Sequence, residues 1–206
     1  SKFMNTFSIQ SSKILFNDTM ILKLNKKSLK KIKKSKDILF IEKDKKAYGT
    51  QITWNLDRID QFELERDYIY NSNGLTGLGN TIYVIDSGVF CEHSDFEDRC
   101  KYGPNFSTDD VSKSEDTHSH GTHVASTAAG KIYGVAKKSF IVGCKSLNKN
   151  NASTVGRVVS CIDWVINQND VPNEKKIIQL SINSGVSVSF NNAVQKAYDV
   201  GIIVIA

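Results

Sequence analysis

The sequence predicts an α/β fold in which a parallel sheet carries helices on both faces. Along most of the chain, short apolar segments rich in Val and Ile alternate with segments whose apolar residues recur at helical spacing. Strands that alternate with helices in this way favour a parallel sheet joined by helical crossovers. The 206 residues suffice for one sizeable domain with a small appendage. No apolar run approaches the roughly 20 residues of a membrane-spanning helix, so such a segment is not expected.

The first part of the chain predicts half of a small α+β domain. Residues 20–25 are typical of a strand, residues 26–36 of a Lys-rich helix and residues 37–42 of a second strand. The polar residues 44–54 are expected to form a linker.

Beyond the linker, strand and helix patterns alternate regularly. The helix at 153–169 is the clearest, because Val155, Val158 and Ile162 recur on one helical face. Ligands of such folds bind at the carboxyl ends of the strands, where Asp86 lies. The predicted strands are 81–86, 139–147, 176–181 and 202–205, and the predicted helices are 122–129, 153–169 and 190–200.

The charge of the chain is distributed unevenly. Residues 1–46 hold 13 Lys and four acids, a net charge of +9, whereas residues 47–206 hold 14 basic and 18 acidic residues, a net charge of −4. A basic arm and an acidic body favour either contact with nucleic acid or docking of the arm onto its own body. The Lys run lacks Arg and interleaved aromatic residues, which argues against nucleic acid.

The four cysteines form no CxxC pair, so a structural zinc site has little support. Cys91 and Cys100 lie in a loop-like segment and predict a small disulfide loop if the protein is secreted. Cys144 falls in a strand pattern and Cys161 in a helix pattern, and both are expected to be buried free thiols.

Three of the four histidines fall within residues 116–126, DTHSHGTHVAS. A zinc site is disfavoured because the HExxH spacing of zinc hydrolases is absent. A catalytic site needs a buried acid that fixes the imidazole tautomer, and Asp86 ends the apolar strand IYVID, where an N–H of His120 would supply its partner. Gly121 permits close backbone approach, and Thr122 can cap the following helix. The spacing is equally compatible with an Asp86 that caps a turn and a solvated His120.

Several motifs resemble the subtilisin-like serine proteases, and within that family the proteinase K-like branch. The resemblance covers about residues 20–206, and the order Asp then His fits the family's Asp, His, Ser order. It implies the subtilisin-like three-layer α/β fold, preceded by a partial small α+β propeptide. The motifs are YVIDSG at 83–88, HGTHVA at 120–125, WNLDRI at 54–59, HSDFE at 93–97 and YGVAKK at 133–138.

The resemblance implies a serine endopeptidase that hydrolyses peptide bonds through an Asp-His-Ser triad. It makes His120 the general base, Asp86 the acid that orients it, and His123 a residue that packs the helix, whereas His118 has no assigned role. The nucleophilic Ser of the family's GTSxAxP motif does not occur in residues 1–206. We expect this chain to be an internal piece of a longer product, inert by itself, whose full-length form is active without a catalytic metal.

In the family, an extended substrate pairs as a strand between two enzyme segments. Asn151 and Asn183 stand where relatives have Gly, so their side chains are expected to narrow the cleft. Asn151 also begins a glycosylation sequon, as do Asn17 and Asn105, and we expect Asn151 to carry no glycan because a glycan would crowd the substrate. The matching residues are Asn151, Ala152 and Ser153 in one segment and Ser181, Ile182 and Asn183 in the other.

Residues 1–46 resemble the last part of an inhibitory subtilase propeptide, with FIEKD at 40–44 similar to the family's FIEQD. Self-cleavage is expected near Lys46–Ala47, and residues 47–206 would form the first part of the peptidase domain, truncated before the oxyanion Asn and the catalytic Ser. The expected partners are polypeptide substrates and the propeptide itself, with neither nucleic acid nor membrane. We expect a secreted monomer, or one kept in a vacuole or another secretory compartment. Structural calcium is expected by resemblance alone, with no ligands assigned.

Other functions stay open at this point. Asn151 and Asn183 favour a catalytically inactive homologue that acts as a binding protein. The histidine cluster leaves a zinc hydrolase as a less favoured interpretation, and the Lys-rich helix leaves nucleic-acid binding as the least favoured.

Overall fold

A computed structural model describes residues 11–15, 19–43, 53–110, 112–168 and 175–206. The chain divides into two compact units, Ser1–Gly49 and Thr50–Ala206. This division falls close to the boundary predicted between residues 46 and 47. The predicted processing site and most of the predicted linker lie outside the described residues.

In the first unit, an antiparallel pair of strands precedes a short helix. The strands are Ser11–Leu15 (β1) and Thr19–Lys23 (β2), and the helix is Lys26–Ile32 (α1). The side chain of Asn25 accepts a backbone N–H of the first turn at 2.8 Å and thereby caps α1. Ile32 is buried and anchors the helix, whereas the lysines around it are exposed.

The strand predicted at 37–42 is wrong, because the described residues there adopt turns and irregular backbone. A strand needs a neighbour that satisfies its backbone hydrogen bonds. No described strand pairs with this segment. Leu39 is fully exposed and Phe40 is 72% exposed, so the apolar residues that suggested a strand lie on the surface of the unit.

The second unit confirms the predicted parallel sheet. Its strand order is β4-β5-β3-β6-β7, and all neighbouring strands run parallel. The strands are Asn80–Asp86 (β3), Cys100–Asn105 (β4), Phe140–Lys145 (β5), Lys175–Gln179 (β6) and Ile203–Ile205 (β7). The helices are Trp54–Ile59 (α2), His120–Ala129 (α3), Val155–Ile166 (α4) and Val188–Asp199 (α5).

The central strand β3 is buried on both faces, which puts helices on both sides of the sheet. Ile82 and Val84 belong to the core that includes Ala125 of α3. Tyr83 and Ile85 alternate with them and belong to the core that α4 and α5 share. Asp86 therefore ends the central strand of the sheet, which is covered on both faces. Within the described part of the chain, no helix is long and apolar enough to cross a bilayer.

All four cysteines are paired. The predicted disulfide between Cys91 and Cys100 is confirmed. The prediction of free thiols is wrong for Cys144 and Cys161, which form a second disulfide. Helix α4 turns Cys161 towards the sheet, and the two Cα atoms come within 6.0 Å, a separation that a disulfide spans.

Candidate active site

The carboxyl end of β3 and the first turn of α3 meet in a buried acid–imidazole pair. Oδ1 of Asp86 lies 2.7 Å from Nδ1 of His120. The Asp86 side chain is fully buried, and the His120 side chain is 32% exposed. A hydrogen bond at Nδ1 fixes the imidazole tautomer and leaves Nε2 available to accept a proton. The structure thus brings together the two residues whose pairing the spacing left undecided.

This contact depends on two glycines. A Cβ at Gly121 would lie 2.1 Å from the carbonyl oxygen of Gly88 and 3.0 Å from Cβ of Asp86, so only Gly lets α3 approach β3 this closely. Gly88 has a φ of +104°, and a Cβ there would lie 2.5 Å from the carbonyl oxygen of Ser114. The close approach expected at Gly121 is confirmed.

Asp116 organises the loop that delivers His120. Its carboxylate accepts the N–H groups of His118 and Ser119 at 2.9 Å and the hydroxyl of Ser87 at 2.8 Å. Burial raises the pKa of Asp116, but the hydrogen bonds from Thr122 and from the loop N–H groups outweigh it and hold the pKa below its usual value. No role was predicted for Asp116, because the adjacent Glu115 is equally acidic and nothing in the local sequence distinguishes the two.

Thr122 does not cap α3, contrary to prediction. The helix begins at His120, so Thr122 lies inside its first turn. Its hydroxyl donates to Asp116 and accepts the N–H of Phe90 at 3.0 Å. Its N–H also donates to Asp116 at 2.9 Å. Thr122 therefore joins the loop after β3 to the loop before α3.

The other two histidines of the cluster lie outside the pair. The prediction that His123 packs the helix is wrong for the described chain, because its side chain is exposed. The buried positions of α3 are Gly121, Ala125 and Ala129, four residues apart, and His123 faces away from them. His118 is exposed, and its ring centre lies 6.4 Å from that of His120.

The two predicted substrate segments follow the strands that flank β3. Residues 151–153 come after β5 and residues 181–183 come after β6, and β5 and β6 are the neighbours of β3 in the sheet. The carboxyl ends of parallel strands meet at one edge, so both segments leave the edge where Asp86 lies. The topology thus assembles the predicted site residues at one edge of the sheet.

Asn151 and Asn183 differ in how firmly they are held. Asn151 has a φ of +56°, in the left-handed region that favours Gly or Asn, and its N–H donates to the carbonyl oxygen of Asn148 at 2.8 Å. The hydroxyl of Ser153 donates to the carbonyl oxygen of Ser146 at 2.7 Å and fixes the end of that turn. Asn183 is exposed on irregular backbone after β6, as is Ser181, whereas Ile182 packs against the core.

A set of buried oxygen atoms lies away from the acid–imidazole pair, in and around α2. Both carboxylate oxygens of Asp57, Oγ1 of Thr53 and Oε1 of Gln61 are buried and have no hydrogen-bond partner among the described residues. Asp57 lies within α2, whereas Thr53 precedes the helix and Gln61 follows it. Within the described ranges, this region included, no group of three or more His, Cys, Asp or Glu side chains is arranged to hold a metal.

Comparison with known proteins identifies a family and several relatives that this chain resembles in sequence. The subtilase family matches residues 77–206. Alkaline serine exoprotease A of Vibrio alginolyticus is 34% identical over 192 residues, which cover 88% of this chain and 35% of that protein. Subtilisin-like protease 2 of Pseudogymnoascus destructans is 35% identical over 187 residues, which cover 86% of this chain and 45% of that protein.

A solved structure gives the same picture. The crystal structure of a cold adapted subtilisin-like serine proteinase superposes with a TM-score of 0.69 at 40% identity, covering 75% of this chain and 55% of that chain. The chain spans between about a third and a half of the length of the Vibrio alginolyticus and Pseudogymnoascus destructans relatives.

Proposed function

Since the chain belongs to the subtilase family, we propose that it supplies the general base and the orienting acid of a secreted serine endopeptidase. The observation that carries the proposal is the 2.7 Å contact between the fully buried carboxylate of Asp86 and Nδ1 of His120. A carboxylate in that position fixes the imidazole tautomer and stabilises the imidazolium that forms during acyl transfer. The nucleophilic serine would come from residues outside 1–206.

The proposed reaction begins when Nε2 of His120 takes the proton of the serine hydroxyl as its oxygen attacks the scissile carbonyl. The same imidazole then gives that proton to the leaving amine, and a water molecule releases the acyl group by the reverse sequence. Asp86 stays ionised throughout. In subtilisin itself, loss of the triad histidine lowers kcat roughly a millionfold, which sets the scale expected for His120.

The proposed substrates are extended polypeptides that lie across the edge of the sheet between residues 151–153 and 181–183. Main-chain hydrogen bonds would hold such a strand, and pockets for alternate side chains would select it. The side chains of Asn151 and Asn183 would narrow this cleft, since relatives are expected to carry Gly at both positions.

The first unit is proposed as the intramolecular inhibitor of the second. Residues 1–46 carry a net charge of +9 and residues 47–206 a net charge of −4, so their attraction would favour docking and speed it. An inhibitory propeptide also fits a product that leaves the cell or enters a secretory compartment before it is activated. The two disulfides fit the same oxidising route.

The unpartnered oxygens around α2 include carboxylate and amide oxygens, which are ligand types that calcium binds. We propose Asp57, Thr53 and Gln61 as ligands. Calcium would neutralise the buried Asp57 carboxylate and hold the segment around α2 together. It would take no part in peptide hydrolysis.

The test is labelling of the full-length protein with a fluorophosphonate, which reacts with an activated serine. We expect the processed parent to label and His120→Ala to lose the label. His123→Ala is the matched control, because His123 is exposed on the same helix, and it should label like the parent.

Absence of label on the processed parent would refute the endopeptidase. It would favour the inactive homologue, which the Asn residues at both substrate segments motivate. Peptide hydrolysis that a chelator abolishes, without any fluorophosphonate labelling, would instead favour the zinc hydrolase.

A further inference from the structure

Lys145 ends β5 and lies beside Asp86 of β3 in the parallel register. Its side chain is fully buried, which is rare for a lysine. Its ammonium group donates to the carbonyl oxygen of Ser87 at 2.5 Å and to Oγ1 of Thr117 at 2.7 Å, and it pairs with Oδ2 of Asp109 at 3.0 Å. An ammonium group has three N–H donors, so each of them has an acceptor.

Ser87 connects this ammonium group to the acid–imidazole pair. The N–H of Ser87 donates at 2.6 Å to Oδ1 of Asp86, the same oxygen that contacts His120. The hydroxyl of Ser87 donates to Asp116 at 2.8 Å and accepts the N–H of Gly121 at 3.0 Å. The buried ammonium group fixes the one remaining polar atom of Ser87, its carbonyl oxygen. Ser87 is therefore held from four directions, and its N–H in turn holds the catalytic carboxylate.

The same ammonium group also binds the loop that precedes α3. Thr117, which follows Asp116 in that loop, accepts from Lys145 and donates its own hydroxyl to Oδ2 of Asp109 at 2.5 Å. The Asp109 side chain is only 9% exposed. Burial raises the pKa of Asp109, but the hydrogen bonds from Thr117 and Lys145 outweigh it and keep the pKa below its usual value. Asp109 is thus an ionised partner for the buried ammonium group.

We infer that Lys145 is a positioning residue for the Asp86–His120 pair, an inference that rests on the proposed peptidase function. Lys145 binds the end of β3 through Ser87 and the loop before His120 through Thr117. It therefore sets the distance between the two elements that carry the pair. A displacement of about 1 Å in a catalytic site costs on the order of 100-fold in rate.

The alternative is that Lys145 contributes only to the stability of the fold. It would serve as the counter-ion of Asp109, and its removal would cost stability because a buried charge would lose its partner. Folded enzyme would then keep its turnover rate. The two roles are separable because the ammonium group of Lys145 contacts two different acceptors, the carbonyl oxygen of Ser87 and the carboxylate of Asp109.

The first experiment compares kcat and KM of the full-length Lys145→Met variant with those of the parent, per active site titrated with a fluorophosphonate. Met has a similar length and no donor. We expect kcat to fall between about 10-fold and 100-fold, and KM to change less than about threefold, because the pair acts in the transition state rather than in substrate binding. A kcat within about threefold of the parent overturns the inference.

Arg99→Met is the matched control. The Arg99 side chain is 17% exposed and donates to the carbonyl oxygens of Ala129 and Ser139, at the end of α3 and before the start of β5. Like Lys145, it is a largely buried cation bound to backbone oxygens. It contacts α3 and β5 at the ends opposite to those near the acid–imidazole pair. We expect Arg99→Met to lower stability and leave kcat per titrated site unchanged.

The double variant Lys145→Met with Asp109→Asn distinguishes the two roles. It removes the buried pair as a neutral unit, so no charge is left without a partner. We expect stability to recover and kcat to stay low, because the carbonyl oxygen of Ser87 still lacks its donor. Recovery of kcat in the double variant overturns the inference.

The hydrogen-bonded proton between Asp86 and His120 gives a readout that needs no catalysis. We expect its far-downfield proton NMR signal to broaden and to exchange faster with water in Lys145→Met, and an unchanged signal overturns the inference. A parent that the fluorophosphonate does not label would refute the peptidase, whereas this signal still decides whether Lys145 positions the pair. If Lys145→Met does not fold, Thr117→Val is compared with the parent instead, because Thr117 is exposed and its hydroxyl links Lys145 to the loop before His120. An unchanged NMR signal together with an unchanged kcat in Thr117→Val overturns the inference.

Discussion

Lysines are exposed in and just after helix α1, whereas a lysine is buried at the carboxyl edge of the sheet. Seven lysines lie between residues 26 and 36, and all of them are exposed. At the end of β5, one lysine is fully buried and has three acceptors. Water and salt screen exposed charges, so each of them contributes little. A buried charge must be fully bonded, and it therefore fixes the groups that bond it.

Loss of the buried Asp86 charge is expected to lower activity more than any other change, because this carboxylate orients the imidazole of His120. Asp86→Asn keeps the shape of the side chain but removes the charge that fixes the His120 tautomer. We expect kcat of the full-length protein on peptide substrates to fall about 10⁴-fold. Asp98→Asn, at an exposed acid of the same unit, should leave kcat unchanged, and a fall of less than tenfold for Asp86→Asn would contradict the assigned role.

The fold was predictable where periodicity was strong. Helix α4 and strand β3 fall close to their predicted positions, because their apolar residues follow one helical face or one buried strand without interruption. Strand β4 was missed, since its sequence CKYGPN contains Gly and Pro, which indicate a turn. It is an edge strand, where Pro is tolerated, and only the pairing with β5 makes it a strand.

The candidate site was predictable only as far as motifs reach. Asp86 and His120 were identified because both stand in recognisable motifs, and the structure places them in contact. Lys145 was missed, although a lysine at the end of an apolar strand beside β3 is an unusual feature. Its three acceptors lie 28, 36 and 58 residues away along the chain, and no local pattern reports contacts at such separations.

The carboxylate of Asp57 is buried and has no hydrogen-bond partner among the described residues. If calcium binds Asp57, removal of calcium should destabilise the full-length protein by about 2.7 kcal/mol relative to a calcium concentration one hundred times the Kd. Urea unfolding with and without a chelator measures this difference. Asp57→Asn should abolish the difference, whereas Glu63→Gln, at an exposed position in the same segment, should preserve it. A calcium effect that is equal in Asp57→Asn and the parent would contradict the assignment.

The partly buried carboxylate of Asp116 accepts several hydrogen bonds, so it should make the free energy of unfolding depend on pH. The folded-state pKa of Asp116 is lowered, so its contribution to stability is present above the unfolded-state pKa of about 3.9 and is lost as pH falls through the folded-state value. Asp116→Asn should cost about 2 kcal/mol at neutral pH and should flatten the decline in unfolding free energy below about pH 4. Urea unfolding between neutral and acidic pH measures both effects, with exposed Asp110→Asn as the control. If the unfolding free energy of Asp116→Asn declined at acidic pH as steeply as that of the parent, the hydrogen bonds of Asp116 would not favour the folded state.

The exposed lysines of α1 are expected to contribute least to stability. Lys30→Ala and Lys31→Ala each remove a positive charge from the last turn of α1. These charges interact favourably with the helix dipole, but they are surrounded by water. We expect each to change the stability of the first unit by less than about 0.5 kcal/mol, and the change should shrink as salt is added. Hydrogen exchange of the α1 and β2 amides in the full-length protein reports this stability. Ile32→Ala, at the buried position of the same turn, should cost at least about 2 kcal/mol. A lysine effect as large as that of Ile32 would mean that some charges of α1 are bound rather than solvated, and the contrast with Lys145 would then fail.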